Sequence, residues 1–382
     1  MKIVIWGTHP LSTSGGGKIC ALMAVALREN NSVVVIANKG QSLGPAVCGA
    51  KEKPIRVIPF VNNLSDHLMS AVIDSDLVIT IGDLWDCQPV HECIARTGKP
   101  WVAYVGCEGA NYPSIAKFPD EKKMLIPKLV ELISCFWAFT SHTEKILRRD
   151  FPGIPVEILP HAVDVAGIQA ALPFPLRELL NIPDKRALWL FVGFNNIRKG
   201  IDLFMRQIDL YRDKVVGYIH SDDWYPTGWD LIEARKSLGL EGILYLKSDL
   251  DKITGKTKYA NEEMYGIYKA ADLFLHPHRA EGFGLCVLEA LCAQIPVLAT
   301  DCAGPSTYLP KACKIPTFNH VLYRQNGGVG YRMWEPQIPK LKPGRERTTK
   351  FDPKGYGYGD FAVNLNRLLE REYKPKMWMR AI

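Results

Sequence analysis

Two glutamates, Glu281 and Glu289, stand eight positions apart in HRAEGFGLCVLEAL (278–291), with Gly282, Phe283 and Gly284 between them. The apolar run DLFLHPH (272–278) before them predicts a strand, and the helix formers of LCVLEALCA after them predict a helix. The backbone N–H groups at the head of such a helix carry partial positive charge and lack intrahelical partners, which makes an anion site. Glycines there let a phosphate approach the backbone closely. At about 1.5 Å of rise per residue, Glu289 falls roughly 7–8 Å beyond that site. That is the reach from a diphosphate to ribose hydroxyls, which a carboxylate accepts well. Glu281, on the other side of the turn, is placed to meet a sugar carried on the diphosphate. The spacing alone suits equally a plain strand-to-helix turn carrying two solvated glutamates.

Such a turn needs a sheet to hold it. From residue 1 to about 165, apolar runs alternate with helical patterns: KIVIWG (2–7), SVVVIAN (32–38), IRVIPF (55–60), DLVITIGD (76–83), WVAYVG (101–106) and CFWAFTS (135–141) read as strands. KICALMAVALREN and SHTEKILRRDF read as helices between them. Continuous apolar strands alternating with helices imply a parallel sheet covered on both faces. A Pro-rich linker spans about 165–184, and a second set follows. Its strands are ALWLFVGF (187–194), VVGYIHS (215–221), GILYLK (242–247), DLFLHPH and IPVLAT (295–300). The expected organisation is an α/β domain over 1–165 and a second over 185–360. A closing helix is expected from about 361 to 382. The Gly-, Pro-, Lys- and Tyr-rich stretch from about 325 to 360 reads as a long irregular excursion. Two such domains are expected to face each other across a cleft, with ligands beyond the carboxyl ends of their strands.

Composition narrows the chemistry further. The 382 residues suffice for two domains with real cores, and 47% hydrophobic with 23% charged residues is the balance of a soluble globular protein. Lys and Arg exceed Asp and Glu by 47 to 40, a mild excess for this length that predicts no nucleic-acid partner. The ten cysteines show no CxxC pair and no zinc spacing, and several sit in apolar runs. They favour a reducing, cytoplasmic setting. No apolar stretch approaches the roughly 18 residues needed to span a bilayer. The tail KPKMWMRAI mixes basic residues with Trp and Met, a candidate peripheral contact with a membrane interface. His276 and His278 flank a proline without metal-ligand spacing, and Asp222 and Asp223 read as a turn, so no metal site is expected.

HPHRAEGFGLCVLEALCAQIPVLATDCAGPSTYL (276–309) resembles the donor-binding signature of retaining GT-B glycosyltransferases, above all family 4, the glycosyl transferases group 1. In that family a Glu, seven residues and a second Glu bracket a Gly-Phe-Gly turn. The resemblance implies that Glu281 contacts the donor sugar, Glu289 the ribose, and the amides of Phe283, Gly284 and Leu285 the diphosphate. FVGFNNIRKGIDLFMRQI (191–208) is similar to the family's strand, glycine and RKG turn, here Gly193, Arg198 and Lys199. These two cations would neutralise the diphosphate as the glycosidic bond breaks. Phe194 stands where many members carry Arg. STSGGGK (12–18) fits neither a dinucleotide GxGxxG nor a P-loop, and resembles the glycine pair that opens the family's first helix, pointing to Gly16 and Gly17.

The resemblance also implies that the second domain binds the nucleotide-sugar, that the first binds most of the acceptor, and that the closing helix packs back on the first. On the acceptor side the resemblance is thinner. ILPHAVDV (158–165) resembles the segment closing the first domain, with His161 in place of Asn, and AFTSHTEK (138–145) points to Ser141 and Lys145. The family's His after the fifth strand has no counterpart in WVAYVGCEGANYP; Glu108 or Asp83 lines that region instead, or caps a helix. The implied activity is metal-independent transfer of a sugar from a nucleoside-diphosphate sugar to a hydroxyl acceptor (glycan, lipid or small molecule), with retention and no cofactor. Two other readings stand beside it. A non-catalytic sugar-nucleotide binding protein keeps the same binding residues. A Rossmann-fold epimerase or oxidoreductase would want GxGxxG after the first strand and an acid ending the second, where this chain has SGGGK and Asn38.

Overall fold

The computed structural model describes residues 1–12, 14–40, 43–44, 46–48, 54–60, 66–110, 129–324, 330–341 and 350–372. The chain divides into two compact units: Met1–Cys107, Ser114–Ala162 and Lys354–Ile382 form the first, and Glu108–Pro113 with Val163–Pro353 the second.

The first unit is built on strands β1 (Lys2–Thr8), β2 (Ser32–Lys39), β3 (Ala46–Cys48), β4 (Ile55–Pro59), β5 (Leu77–Ile81), β6 (Trp101–Val105), β7 (Cys135–Ala138) and β8 (Val156–Ile158). They lie in the order β3-β4-β2-β1-β5-β6-β7-β8, parallel throughout except for β3 against β4. Helices α1 (Gly15–Arg28), α2 (Asp66–Ile73), α3 (Gln88–Thr97) and α4 (Ser141–Asp150) connect them. Every residue of β5, β6 and β7 is buried, as a sheet covered on both faces requires, and Trp6, Trp101 and Trp137 fill its core. The order reverses between β1 and β5, so the loops after those two strands flank the crevice of this sheet.

The Pro-rich stretch expected as a linker contains two short helices, α5 (Val165–Ala170) and α6 (Leu176–Leu179), and belongs to the second unit. Strands β9 (Ala187–Val192), β10 (Val215–His220), β11 (Leu244–Leu246), β12 (Leu273–His276), β13 (Val297–Thr300) and β14 (Lys314–Ile315) follow. They form a fully parallel sheet in the order β11-β10-β9-β12-β13-β14. Between them run α7 (Ile201–Leu210), α8 (Leu231–Ser237), α9 (Lys247–Thr254), α10 (Asn261–Ala270) and α11 (Leu285–Cys292). Counted within the unit this is the order 3-2-1-4-5-6 of a doubly wound nucleotide-binding sheet, with its reversal between β9 and β12. Trp189, Phe191, Phe204 and Leu275 are among the residues buried beneath it.

The excursion expected to be irregular begins differently. β15 (Thr317–Arg324) and β16 (Gly330–Pro336) pair antiparallel, Val321 opposite Met333 and Tyr323 opposite Tyr331. Residues such as Phe318, Val321, Tyr323, Tyr331 and Trp334 favour that extended pairing. The closing helix α12 (Tyr358–Glu372) lies within the first unit against α1, burying Phe361, Leu365, Leu368 and Leu369 along one stripe and pairing Arg371 with Glu157. The tail from 374 to 382 lies outside the described residues, and no described helix is long and apolar enough to cross a membrane.

Candidate functional site

The second sheet places its two reversal-point loops side by side. After β9 the chain passes Gly193 and enters a single 3-10 turn, Ile197–Lys199, capped by Asn196, whose side-chain oxygen accepts the Arg198 amide at 3.0 Å. Gly200 follows at φ 73°, and a Cβ there would lie 2.0 Å from the carbonyl oxygen of Pro277. Only glycine permits that approach. It lets the loop after β12 dock on the turn: the amides of Arg279 and Ala280 donate to the Arg198 carbonyl at 2.7 and 3.3 Å.

Arg279 clamps the two loops together. Its guanidinium donates to both carboxylate oxygens of Asp202 at 2.8 and 2.9 Å, to the Ile197 carbonyl at 3.1 Å and to Glu335 on β16 at 3.1 Å. Partial burial works against its charge, but Asp202 and Glu335 outweigh that and raise its pKa further, so it stays a cation.

Lys199 and Glu281 form a buried ion pair, at 8% and 7% exposure. Burial alone would push the Glu281 carboxyl up. The charges of Lys199 and then Arg198 prevail and hold it well below the usual carboxylate range. Arg198 reaches the other way, to Glu108 Oε1 at 2.7 Å from Nη2. The Glu108 carbonyl accepts the Glu281 amide at 3.1 Å, so the acid expected on the acceptor side stands beside the two cations within the second unit. Behind the pair lie His276 and His278, fully buried; burial is the first cause that lowers both, His278 to about 4, so both are neutral near pH 7.

The Gly-Phe-Gly turn runs into α11. Gly284 stands at φ 86° at the head of that helix, where an added Cβ would meet Pro305 at 2.9 Å and the Tyr308 hydroxyl at 3.0 Å. Tyr308 donates to the carbonyls of Phe283 and Gly284 at 2.7 and 2.9 Å, and the Gly304 amide donates to the Glu281 carbonyl at 3.0 Å. The turn is therefore braced from behind, with Gly284 and Leu285 at the amide-rich helix head. In the first turns of that helix Glu289 is 8% exposed and accepts the Tyr268 hydroxyl at 2.8 Å. Burial keeps the Tyr268 hydroxyl protonated and able to donate. Gly193 lies where a Cβ would come within 3.4 Å of His276 Nε2.

In the first unit, the glycine run opens α1. Ser14 caps it, accepting the Gly17 amide at 3.1 Å; a Cβ on Gly17 would fall 2.4 Å from the Ser12 carbonyl oxygen, and one on Gly16 2.7 Å from the Thr8 hydroxyl. Asp83 follows β5 and is partly buried, at the reversal point of that sheet. His161 is buried against Tyr104, 2.6 Å from its hydroxyl to Nδ1, with Phe139 packed on the ring. Ser141 is the first residue of α4 and Lys145 is exposed one turn on. Among the described residues no three His, Cys, Asp or Glu side chains gather as metal ligands.

Sequence reasoning did not single out Tyr268, Tyr308, Arg279, Gly200 or Asn195. Gly200 had a signal, as the residue closing the RKG turn. The others contribute through contacts to residues 20 or more positions away, which no local pattern carries.

Residues 186–314 match the family described as glycosyl transferases group 1. Over 164 residues the chain is 31% identical to a lipopolysaccharide core biosynthesis mannosyltransferase of Rhizobium meliloti, covering 39% of this chain and 41% of the relative. It spans about two fifths or less of the length of the curated relatives it matches. Among solved structures, a sucrose-phosphate synthase from Thermosynechococcus elongatus is similar at TM-score 0.63 and 17% identity, over 82% of this chain and 85% of that one. The Anabaena protein HepE, in complex with UDP and glucose, is similar at TM-score 0.58 and 17% identity, over 81% and 83%. At such identity the likeness shows the fold. Residues 186–314 thus carry a glycosyl transferases group 1 domain, in a chain whose two Rossmann-like α/β units have the GT-B fold.

Proposed function

We propose that this chain is a retaining glycosyltransferase that moves a sugar from a nucleoside-diphosphate sugar to a hydroxyl acceptor, with neither a metal ion nor a cofactor. The observation that carries the reading is the cluster at the β9–β12 reversal: Arg198 and Lys199 beside Glu281, the head of α11, and Glu289 in that same helix. Two fixed cations and a helix head supply the charge that a divalent ion would otherwise bring to a departing diphosphate.

Glu281 is unsuited to proton transfer, because its ion pair with Lys199 keeps it ionised far below neutral pH. It accepts hydrogen bonds from donor-sugar hydroxyls. Glu289, fixed by Tyr268, accepts from the ribose. The bond between the anomeric carbon and the diphosphate oxygen breaks, and its electron pair goes to the diphosphate, stabilised by Arg198, Lys199 and the helix amides. The acceptor hydroxyl attacks from the same face and passes its proton to the departing diphosphate oxygen, so configuration is kept. The mannosyltransferase relative, named for lipopolysaccharide core biosynthesis, is in keeping with a saccharide acceptor.

The test is nucleotide release from UDP-, GDP- and ADP-sugars, with and without EDTA. The native protein releases one nucleotide, at a rate EDTA leaves unchanged. Arg198→Ala lowers kcat about 100- to 1,000-fold, as for loss of one transition-state donor, and Glu289→Ala chiefly raises KM. Release from none of the three, with no binding by calorimetry, refutes the reading; loss of activity in EDTA refutes its metal independence.

A further inference from the structure

The segment after β10, SDDWYPTGWD (221–230), exposes aromatic rings on a loop that is firmly held. Trp224 is 62% exposed, Tyr225 39% and Trp229 37%, and Phe194, after β9, is 43% exposed with its ring edge-on to Tyr225 at 4.4 Å. Rings left in water on a mobile loop would need little explanation. This loop is pinned from below by Asn195, which is fully buried. The Asn195 amide group donates to the carbonyls of Asp222 at 3.0 Å and Trp229 at 2.7 Å, and its oxygen accepts the Trp229 amide at 2.9 Å. Asn196 adds a bond to the Thr227 hydroxyl at 3.1 Å. Gly228 closes a turn on Tyr225, and a Cβ there would fall 2.2 Å from Asn195 Oδ1. A buried amide satisfied only by this loop is a device for preorganising it, and preorganised rings bind with little loss of conformational freedom.

The charge on the loop selects its ligand. The loop itself, residues 221 to 230, holds Asp222, Asp223 and Asp230 and no Lys or Arg, which disfavours anionic lipid and nucleic acid. Flat apolar faces beside carboxylate acceptors suit a ligand with C–H faces and many hydroxyl donors. Asn195 and Asn196 lie one residue before Arg198 and Lys199, so the same short segment holds both the rings and the cations of the proposed donor site.

We propose that Trp224, Tyr225 and Trp229, with Phe194 and Asp222, form a platform for an uncharged oligosaccharide, and that the acceptor class is therefore a glycan. The proposal rests on the sugar-transfer reading above, and its test separates the two. The native protein and Trp224→Ala/Trp229→Ala are applied to an array of neutral oligosaccharides of glucose, galactose, mannose and N-acetylglucosamine in α and β linkage. In parallel, UDP, GDP and ADP binding is followed by calorimetry. Because both tryptophans are exposed, the variant keeps the native Tm. The native protein binds at least one neutral glycan, the variant binds it at least about tenfold more weakly, the size expected for lost ring contacts, and nucleotide affinity is equal in both. Absence of glycan binding by the native protein, or undiminished binding by the variant, overturns the platform while nucleotide binding keeps the donor site. Tryptophan-dependent binding to phosphatidylglycerol vesicles, or tryptophan-dependent self-association, in place of glycan binding, overturns it in favour of those partners. Glycan binding without nucleotide binding sinks the donor reading instead.

Discussion

Replacing Lys199 by Met tests whether the buried pair with Glu281 stabilises the β9–β12 reversal of the second sheet. Met nearly keeps the volume of the side chain and removes its charge, leaving Glu281 buried at 7% exposure with its nearest cation gone. Breaking a buried ion pair from one side costs about 3–5 kcal/mol. Arg198 also acts on Glu281, as the second largest of the charges that lower its pKa, so the low end, about 3 kcal/mol, is expected. For a unit of this size that is a fall of roughly 6–12 °C in Tm. The pH dependence gives a second handle. In the native protein the folded pKa of Glu281 lies below its ordinary value of 4.5, so its contribution is present above that value and is lost only as pH falls through the folded pKa. Without Lys199, burial gains ground, the carboxyl pKa rises, and a proton neutralises the orphaned charge. The Tm gap between variant and native should therefore narrow from pH 7 to pH 5, and Lys199→Met/Glu281→Leu should recover most of the loss. Calorimetry at the two pH values decides. A gap below the error of the measurement, or one that widens on acidification, would falsify the account.

Three further outcomes follow from the same geometry. Tyr268→Phe removes the hydroxyl that Tyr268 donates to Glu289, a bond worth about 1 kcal/mol, and in the proposed reaction should raise the donor KM several-fold while kcat holds; an unchanged KM removes Tyr268 as a positioning residue. Gly284→Ala forces a side chain onto φ 86° and within 2.9 Å of Pro305, so about 1–3 kcal/mol of stability is lost and nucleotide affinity falls with it; a neutral result in both thermal melting and calorimetry contradicts the braced turn. Glu108→Gln withdraws a carboxylate from Arg198, with which a diphosphate must compete. A partly exposed pair of this kind is worth up to about 1 kcal/mol, so nucleotide affinity should rise by up to about fivefold, and weaker binding would show that Glu108 orients Arg198 instead.

The division between what was legible and what was not runs along the range of the interactions. Strands buried on both faces announce themselves as apolar runs, and KIVIWG, WVAYVG and ALWLFVGF appear as β1, β6 and β9 within a residue or two of their expected ends. Short edge strands such as β3, β8 and β14 are made by their neighbours rather than by their own pattern, and no apolar run in the sequence marks them. Of the β15–β16 hairpin, β16 is hidden by the Gly, Pro and Lys content of the stretch around it, and β15, TFNHVLYR, mixes polar with apolar residues and lacks the continuous apolar run of the buried strands.

The sequence by itself determined the turn chemistry: glycines where φ is positive, a cationic RKG turn, and two glutamates spaced along one strand-turn-helix. Those are local, because a backbone conformation and a helix rise depend on neighbouring residues alone. Only the tertiary structure decided which charge meets which. That Lys199 pairs with Glu281 follows from β9 lying beside β12, and that Tyr268 holds Glu289 follows from α10 packing near α11, while Arg198 meets Glu108 from the loop after β6. The partners in these contacts are 82, 90 and 21 residues apart in the chain, and no local pattern encodes the packing that brings them together.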